Sequence, residues 1–457
     1  MPSLEPPIPL SPVSGPDSGR RLLRATAAAD ADGVIQPAHL LVEGGRLLAV
    51  GSPADVGESD LEITDLGSMV VIPALVNAHV HLDLTEVGPI SIESGFESWL
   101  DEVRCRRPSD PESTTAAVGA GITASLIGGV VAVGDIAGAF GLDATRALAA
   151  GRLGGTSFVE VFGIGQRLSA GTAAVDRIAG DPDLRGLERP GFRVGISPHA
   201  PYSCGVEVYE RAARTGLPVT THLAETPEEA AFTRNACGPF VDLLRRVGSL
   251  GDGDPREALG VPPGEIGPHP IDLLTRIRPV VPWLVAHLNY PTEPDERDDP
   301  EVDDVVFQRR ATALRDLGAS VAFCPRASRF LGHPRPGREG HPWRRLLAAG
   351  VPVALGTDGM PCLDTPTRLS PLDDVRLLLR DGAELTTVLG MATTAGAKAL
   401  GLRADSFRLS RGGAAGLIGL PFDSQTDVSS SSMLGEALGS ETGDPIWITP
   451  PGFEELG

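Results

Sequence analysis

Eight apolar runs of strand length, separated by helical text, limit the fold of this chain more than any other feature of its sequence. They read ALVNAHVH (74–81), VVAVGDI (130–136), GTSFVEVF (155–162), FRVGISPHA (192–200), LPVTTHLAE (217–225), WLVAHLNY (283–290), ASVAFCPRAS (319–328) and VPVALGTDG (351–359). Each is rich in Val, Ala and Leu without polar alternation, as in strands covered on both faces of a parallel sheet. Between many of them lie stretches such as DATRALAAGRL, GVEVYERAARTG, TPEEAAFTRN and HPWRRLLAAG, which suit crossover helices. Eight β units with helical crossovers point to the α/β class and to a (β/α)₈ TIM-like barrel rather than an open sheet.

The two ends of the chain read differently. HLLVEGGRLLAVG and LEITDLGSMVVIP, before the first run, break apolar alternation with glycine pairs, the pattern of hairpins. The last fifty or so residues return to strand-like text in SFRLSRGGAAGLIGL and DPIWITPP. The expected division is a tail at 1–20, a small β-sandwich domain from 21–72 and 400–457, and the barrel at 73–399. Two stretches look inserted: 249–282, rich in Gly, Pro and Asp, and the acidic run PTEPDERDDPEVDD (291–304), expected to be a solvated loop.

Composition excludes several classes of function. The start, rich in Pro and Ser, lacks the basic head and apolar stretch of a signal peptide and reads as disordered. The chain has no apolar run of about 18 residues, so no membrane span is expected. Its five cysteines, odd in number and without CxxC spacing, argue for a reducing compartment, and the cytoplasm is the expected location. A net charge of −21 argues against a nucleic-acid partner, whose phosphates call for a basic surface. It leaves open a small-molecule substrate, including a neutral nucleoside. The sequence does not decide between a monomer and a homodimer.

Polar residues with chemical potential sit at the C-terminal ends of the strand candidates, where barrel enzymes place their sites. His79 and His81 are two apart at the end of the first strand, so both imidazoles can face the barrel mouth. His222 ends the fifth strand, His287 the sixth and Asp358 the eighth, and Glu225 follows His222 by three residues. Singly, each has a plainer reading: a satisfied core histidine, a surface carboxylate, an Asx turn or helix cap. Jointly, His79, His81, His222 and Asp358 form a set of three imidazoles and one carboxylate. That set suits one divalent metal ion, Zn²⁺ or Fe²⁺, with a position open for water. Glu225 and His287 then stand beside it as acid/base candidates.

In order along the chain, VNAHVHLDLT, SPHAPYS, THLAET, AHLNY, CPRAS and LGTDG resemble the amidohydrolase superfamily. Within it they are similar to the branch of S-adenosylhomocysteine, methylthioadenosine, aminofutalosine and guanine deaminases and related chlorohydrolases. The resemblance spans roughly residues 30–420. It implies a barrel with a β-sandwich built from both chain ends, and a metal-dependent hydrolytic deaminase of a purine-type nucleoside or related aminated ring. It further implies that Asp358 binds metal and accepts a proton, that Glu225 protonates a ring nitrogen, that His287 orients the nucleophile, and that His199 contacts substrate. Two-metal members bridge their ions with a carboxylated lysine on a middle strand. Lys398, the only lysine here, lies past the eighth strand, so one metal is expected, Zn²⁺ ahead of Fe²⁺.

The chain also departs from the family. After the seventh strand it has CPRASRFLGH, where an Asn-containing motif is usual in methylthioadenosine-type members. Arg326, Arg329 and His333 are therefore substrate-binding candidates, because an arginine can grip a carboxylate such as that of aminodeoxyfutalosine. Pro73-Ala74-Leu75 replaces a more common Pro-Gly before the first strand. The alternatives are a chlorohydrolase or cyclic amidohydrolase using the same site and, in another class, an inactive metal-binding homologue. All six site residues are present, which argues against the last.

Overall fold

All eight apolar runs become strands of a single sheet. In the computed structural model, which describes residues 19–56, 61–93, 95–139, 141–262, 265–334, 340–365, 367–413, 415–423, 428–453 and 456–457, they appear as nine segments. These are β1 (Leu75–His81), β2 (Val130–Ala139), β3 (Gly154–Val161), β4 (Phe192–Pro198), β5 (Val219–Leu223), β6 (Trp283–His287), β7 (Ser320–Phe323), β8 (Val353–Leu355) and β9 (Asp358–Gly359). Sequence neighbours pair in parallel from β1 to β8, as continuous apolar runs require.

The eighth run splits in two. β8 pairs with β7 at Val321 and Val353, whereas β9 pairs with β1 at Asp358 and Val80. Only Gly356 and Thr357 separate them, so the sheet's two ends are consecutive pieces of one chain segment and the sheet curls. The result is a mixed α/β fold consistent with a TIM-like barrel. Gly356 is required at the break, because a Cβ there would stand 2.8 Å from His79 Cβ and 3.0 Å from Cys324 Sγ.

Helices follow the strands where the text between the runs is helical. Asp143–Ala150, Val206–Arg214, Pro227–Asn235 and Trp343–Ala348 match the four stretches named above. Val206–Arg214 buries Val208, Tyr209, Ala212 and Ala213, one face at helical spacing, while Glu207, Arg211 and Arg214 stay outward. The acidic run is a correction. Instead of a solvated loop, 291–304 holds helix Pro294–Arg297 and the start of helix Pro300–Asp316. Each has proline at its first position and acids in its first turn, and Asp299 accepts the Glu301 N–H. Arg310 is buried against Asp272 and Glu296, so part of the acidic charge is consumed internally.

At the chain ends, Arg20–Ala25, Ala38–Glu43, Arg46–Gly51 and Glu62–Asp65 form a four-stranded sheet. The glycine pair of the expected hairpin, Gly44-Gly45, has φ of 55° and 83°, the left-handed turn that such glycines permit. A five-stranded sheet joins Ala27–Ala29, Val34–Ile35 and Met69–Pro73 to Leu417–Pro421 and Ile446–Trp447 from the far end. Leu23, Leu40 and Leu47 of the first sheet share one apolar cluster with Val71 and Leu417 of the second and with Ile448 just past its last strand. The C-terminal stretch also carries helix Ser431–Ser440, which its strand-like flanks did not announce. Arg20 already belongs to a strand, and residues 1–18 of the expected tail lie outside the described residues. Among the described residues no helix is long and apolar enough to cross a membrane.

Candidate active site

The strands deliver six predicted side chains to one place. All seven residues of β1 are buried, and its last three put His79 and His81 on the same side, with ring centroids 5.2 Å apart. From β5, the His222 ring lies 4.9 Å from that of His79 and 5.5 Å from that of His81. β6 ends on His287, whose ring is 5.1 Å from that of His79. β9 opens on Asp358, whose Oδ1 is 3.4 Å from His81 Nε2 and 3.8 Å from His79 Nε2. His222 Nε2 faces His81 Nε2 at 3.4 Å.

Backbone conformation aims these groups. His287 (φ 68°) and Asp358 (φ 63°) are non-glycine residues in the left-handed region, as are Ala224 (φ 50°) and Leu288 (φ 54°). Each such residue costs about 1–2 kcal/mol, and strain of this kind gathers at functional sites. Interstrand bonds hold it: the Leu288 N–H donates to Leu223 O and the Tyr290 N–H to Ala224 O, both at 3.0 Å.

The electrostatics match the geometry. Burial, then the neighbouring histidines, pushes His79 and His81 well below the usual imidazole range, so both are neutral with lone pairs available. Their contacts with Asp358 are therefore not ion pairs. Burial, then Asp358 and Glu229, pushes the Glu225 carboxyl well above the carboxylate range. His287 is likewise neutral, its Nε2 3.7 Å from Glu225 Oε1.

These residues fit a metal ion. His79 Nδ1 and Nε2, His81 Nδ1 and His287 Nε2 are buried without a hydrogen-bond partner, an expense that proteins avoid unless another ligand satisfies such atoms. Bonds of about 2.0–2.1 Å to a tetrahedral zinc put neighbouring donors roughly 3.3–3.4 Å apart, close to the separations found here. His222 Nδ1 is engaged by the His199 carbonyl oxygen at 2.9 Å, which leaves Nε2 for the cluster. His79, His81 and His222 form one group able to hold an ion, and His79, His287 and Asp358 another.

Of the cluster, His81, His222 and Asp358 line a cavity of about 920 Å³, with His199 and Glu225 also in its wall. Phe96, Trp99 and Tyr202 give that wall an apolar face, and Arg104, Arg167 and Arg246 stand at exposed positions around it. His199 is fixed by Ser203 Oγ at 2.7 Å from its Nδ1.

Three substrate-binding candidates are not brought to the cavity wall. Arg326 is buried in a network of its own, with Nε 3.1 Å from Asp374 Oδ2 and Nη2 3.1 Å from Ser370 O. Arg329 points to solvent and pairs with Asp381 at 3.1 Å. His333 is buried against Tyr290, whose hydroxyl is 3.1 Å from its Nδ1. A largely buried guanidinium that does reach the cavity is that of Arg107, held by Asp83 (2.7 Å) and Glu160 (2.9 Å). Glu160 is the last residue but one of β3, and a carboxylate near the end of a parallel strand is a legible signal. Arg107 follows a surface helix and had none. Lys398 is exposed on helix Gly396–Ala399, away from the sheet interior.

Comparison with known proteins accords with this arrangement. The chain is 29% identical over 341 residues to aminodeoxyfutalosine deaminase of Deinococcus radiodurans, covering 72% of this chain and 73% of that one. Its fold is similar to that of Helicobacter pylori aminofutalosine deaminase, solved with methylthio-coformycin (TM-score 0.68, 19% identity, 93% of this chain and 97% of that one). It is also similar to zinc-bound atrazine chlorohydrolase of Arthrobacter aurescens (TM-score 0.63, 20% identity, 91% of each chain). Residues 70–423 match the Amidohydrolase family across both the curled sheet and the histidine cluster, and the chain belongs to that family.

Proposed function

We propose that this protein is a metal-dependent hydrolytic deaminase of a purine-type nucleoside or related aminated ring, with aminodeoxyfutalosine as a leading substrate. The observation that carries the proposal is a buried carboxyl, Glu225, held well above the carboxylate range and sharing the wall of one cavity with His81, His222 and Asp358. His79, His81, His222 and Asp358 would hold one Zn²⁺. Such an ion lowers the pKa of bound water to about 7 and so supplies a nucleophile at neutral pH.

The remaining chemistry belongs to the side chains. Glu225, kept protonated by burial, donates to a ring nitrogen and makes the adjacent carbon electrophilic. Asp358 accepts a proton from the attacking water, and neutral His287 orients that water. Water adds at the carbon that bears the amino group, the C–N bond breaks, and ammonia leaves with the proton it gains. His199 contacts the substrate. In the same reading, residues 73–399 form a (β/α)₈ barrel, 21–72 with 400–457 a β-sandwich, and the enzyme works in the cytoplasm.

The test is ammonia release by metal-replete protein from adenosine, methylthioadenosine, S-adenosylhomocysteine, aminodeoxyfutalosine, guanine and cytosine. Release from a purine nucleoside is expected. Silence across the panel with metal bound, together with chloride release from a chlorinated triazine, would replace deamination with dechlorination.

A further inference from the structure

The acid candidate sits on a turn that a second buried carboxylate holds from below. Thr226 caps helix Pro227–Asn235, its hydroxyl oxygen accepting the Glu229 N–H at 3.2 Å. In an ordinary capping box, a glutamate at this third helical position returns a bond to the cap residue's own N–H. Glu229 reaches further back. Its Oε1 accepts the Ala224 N–H at 2.9 Å and its Oε2 the Glu225 N–H at 3.0 Å. These are consecutive peptide groups, and Ala224 is the left-handed residue at the end of β5.

A helix gains as much from a glutamate on the surface, yet Glu229 is wholly buried. Taking a carboxyl group out of water is costly, and burial pushes this one up to about 8 against the pull of its two N–H donors; in either protonation state both oxygens can accept. The same turn is tied from the opposite side. Asn289 Nδ2 donates to Glu225 O at 3.1 Å, and Ser328 Oγ donates to Asn289 Oδ1 at 3.0 Å. The turn's N–H groups thus end on Glu229, and two of its carbonyls on the segment after β6.

We infer that Glu229 is a positioning residue for Glu225: by gripping two successive N–H groups it fixes where the Glu225 carboxyl stands relative to the histidine cluster. The inference rests on the proposed role of Glu225 as proton donor. Glu229→Gln keeps the shape but can accept only one of the two bonds, since its NH₂ would meet an N–H.

The test compares wild type, Glu225→Gln, Glu229→Gln and the double variant, each with metal content measured. Glu229→Gln should lower kcat by about 10²-fold, the scale of a misplaced catalytic group, with KM within about threefold and metal retained. Acting only through Glu225, it should cost less than about twofold more in the Glu225→Gln background. Losses that multiply in the double variant overturn the inference, and so does loss of metal. Amide exchange of the 224–225 peptide groups, read without substrate, should speed up in Glu229→Gln, and unchanged exchange overturns the grip itself. That readout stands even if wild type deaminates nothing, an outcome that would sink the deaminase proposal instead. Should Glu229→Gln not fold, Asn289→Ala loosens the same turn and should show the same loss confined to kcat and absent from the Glu225→Gln background. A loss that persists there overturns the inference.

Discussion

Asn77 and Thr357 close the sheet on itself. The Asn77 side-chain amide donates to Thr357 Oγ1 at 2.8 Å, and its carbonyl oxygen accepts the Thr357 N–H at 3.0 Å. Both residues are fully buried, one on β1 and the other in the break between β8 and β9. The pair therefore sets where Asp358 emerges beside His79 and His81. Asn77→Ala removes two buried bonds, while the Thr357 N–H keeps His79 O and its hydroxyl keeps Asp358 O, for an expected loss of about 1–3 kcal/mol. Asn77→Asp keeps the acceptor but puts a carboxyl group at a fully buried position, and should lose at least as much. Thermal denaturation orders the three proteins, and equal stability of Asn77→Ala and wild type would remove this contact from the closure.

Arg326 stabilises the fold, and its substitution should leave substrate affinity alone. Its guanidinium is paired with Asp374 and lies 3.7 Å from Asp373, and it also meets Ser370 O, all within one buried network. Arg326→Met leaves Asp374 buried with the backbone N–H of residue 326 but without its charged partner, and breaking a buried pair in this way costs about 3–5 kcal/mol. The expected variant is less stable at unchanged KM. A raised KM at wild-type stability would instead return Arg326 to the cavity.

Which parts of this fold could be read from the sequence follows from what each signal depends on. The eight strands were legible because a parallel sheet buried on both faces needs unbroken apolar text, and 130–133 or 351–355 offers nothing else. His79, His81, His222, His287 and Asp358 were legible because strand ends in such a sheet converge at one mouth. Residues acting on the backbone were harder. Glu229 is half of a visible Thr-Pro-Glu-Glu cap, but its grip on residues 224 and 225 depends on a left-handed turn that no residue type announces. Arg326 and Arg107 show the same limit from both sides. An arginine near the mouth faces the cavity or the core according to which carboxylates the helices bring to it. Asp374 lies 48 residues from Arg326.

Asp135 should make stability depend on pH. It is fully buried on β2, accepts the Leu82 N–H at 3.0 Å, and burial followed by repulsion from Asp83 raises its carboxyl to about 8. From about pH 4 to pH 8 the folded protein holds a proton that the unfolded chain has released. The stability associated with this proton is complete below pH 4 and is lost as pH rises through 8, at up to about 1.4 kcal/mol per pH unit. Asp135→Asn has no such proton. Its stability relative to wild type should therefore improve steadily from pH 5 to pH 8, as urea denaturation would report. A difference that stays constant with pH would mean that Asp135 is ionised in the folded state.

The proposed ligand set is tested most directly at His222. Its Nδ1 is fixed by the His199 carbonyl oxygen and its Nε2 faces His81 Nε2, so removing the ring takes away one donor while β1 and β9 remain in place. Three-donor sites generally hold zinc more weakly than four-donor ones, because each coordinate bond adds to a binding energy that also stabilises the fold. His222→Ala should therefore purify with little metal and lose activity. A chelator should lower the melting temperature of wild type by the free energy of the ion it removes, with excess Zn²⁺ restoring it. The chelator should leave His222→Ala almost unmoved. A His222→Ala protein that keeps one equivalent of metal and its activity would take His222 out of the ligand set. The group formed by His79, His287 and Asp358 would then be the site to examine.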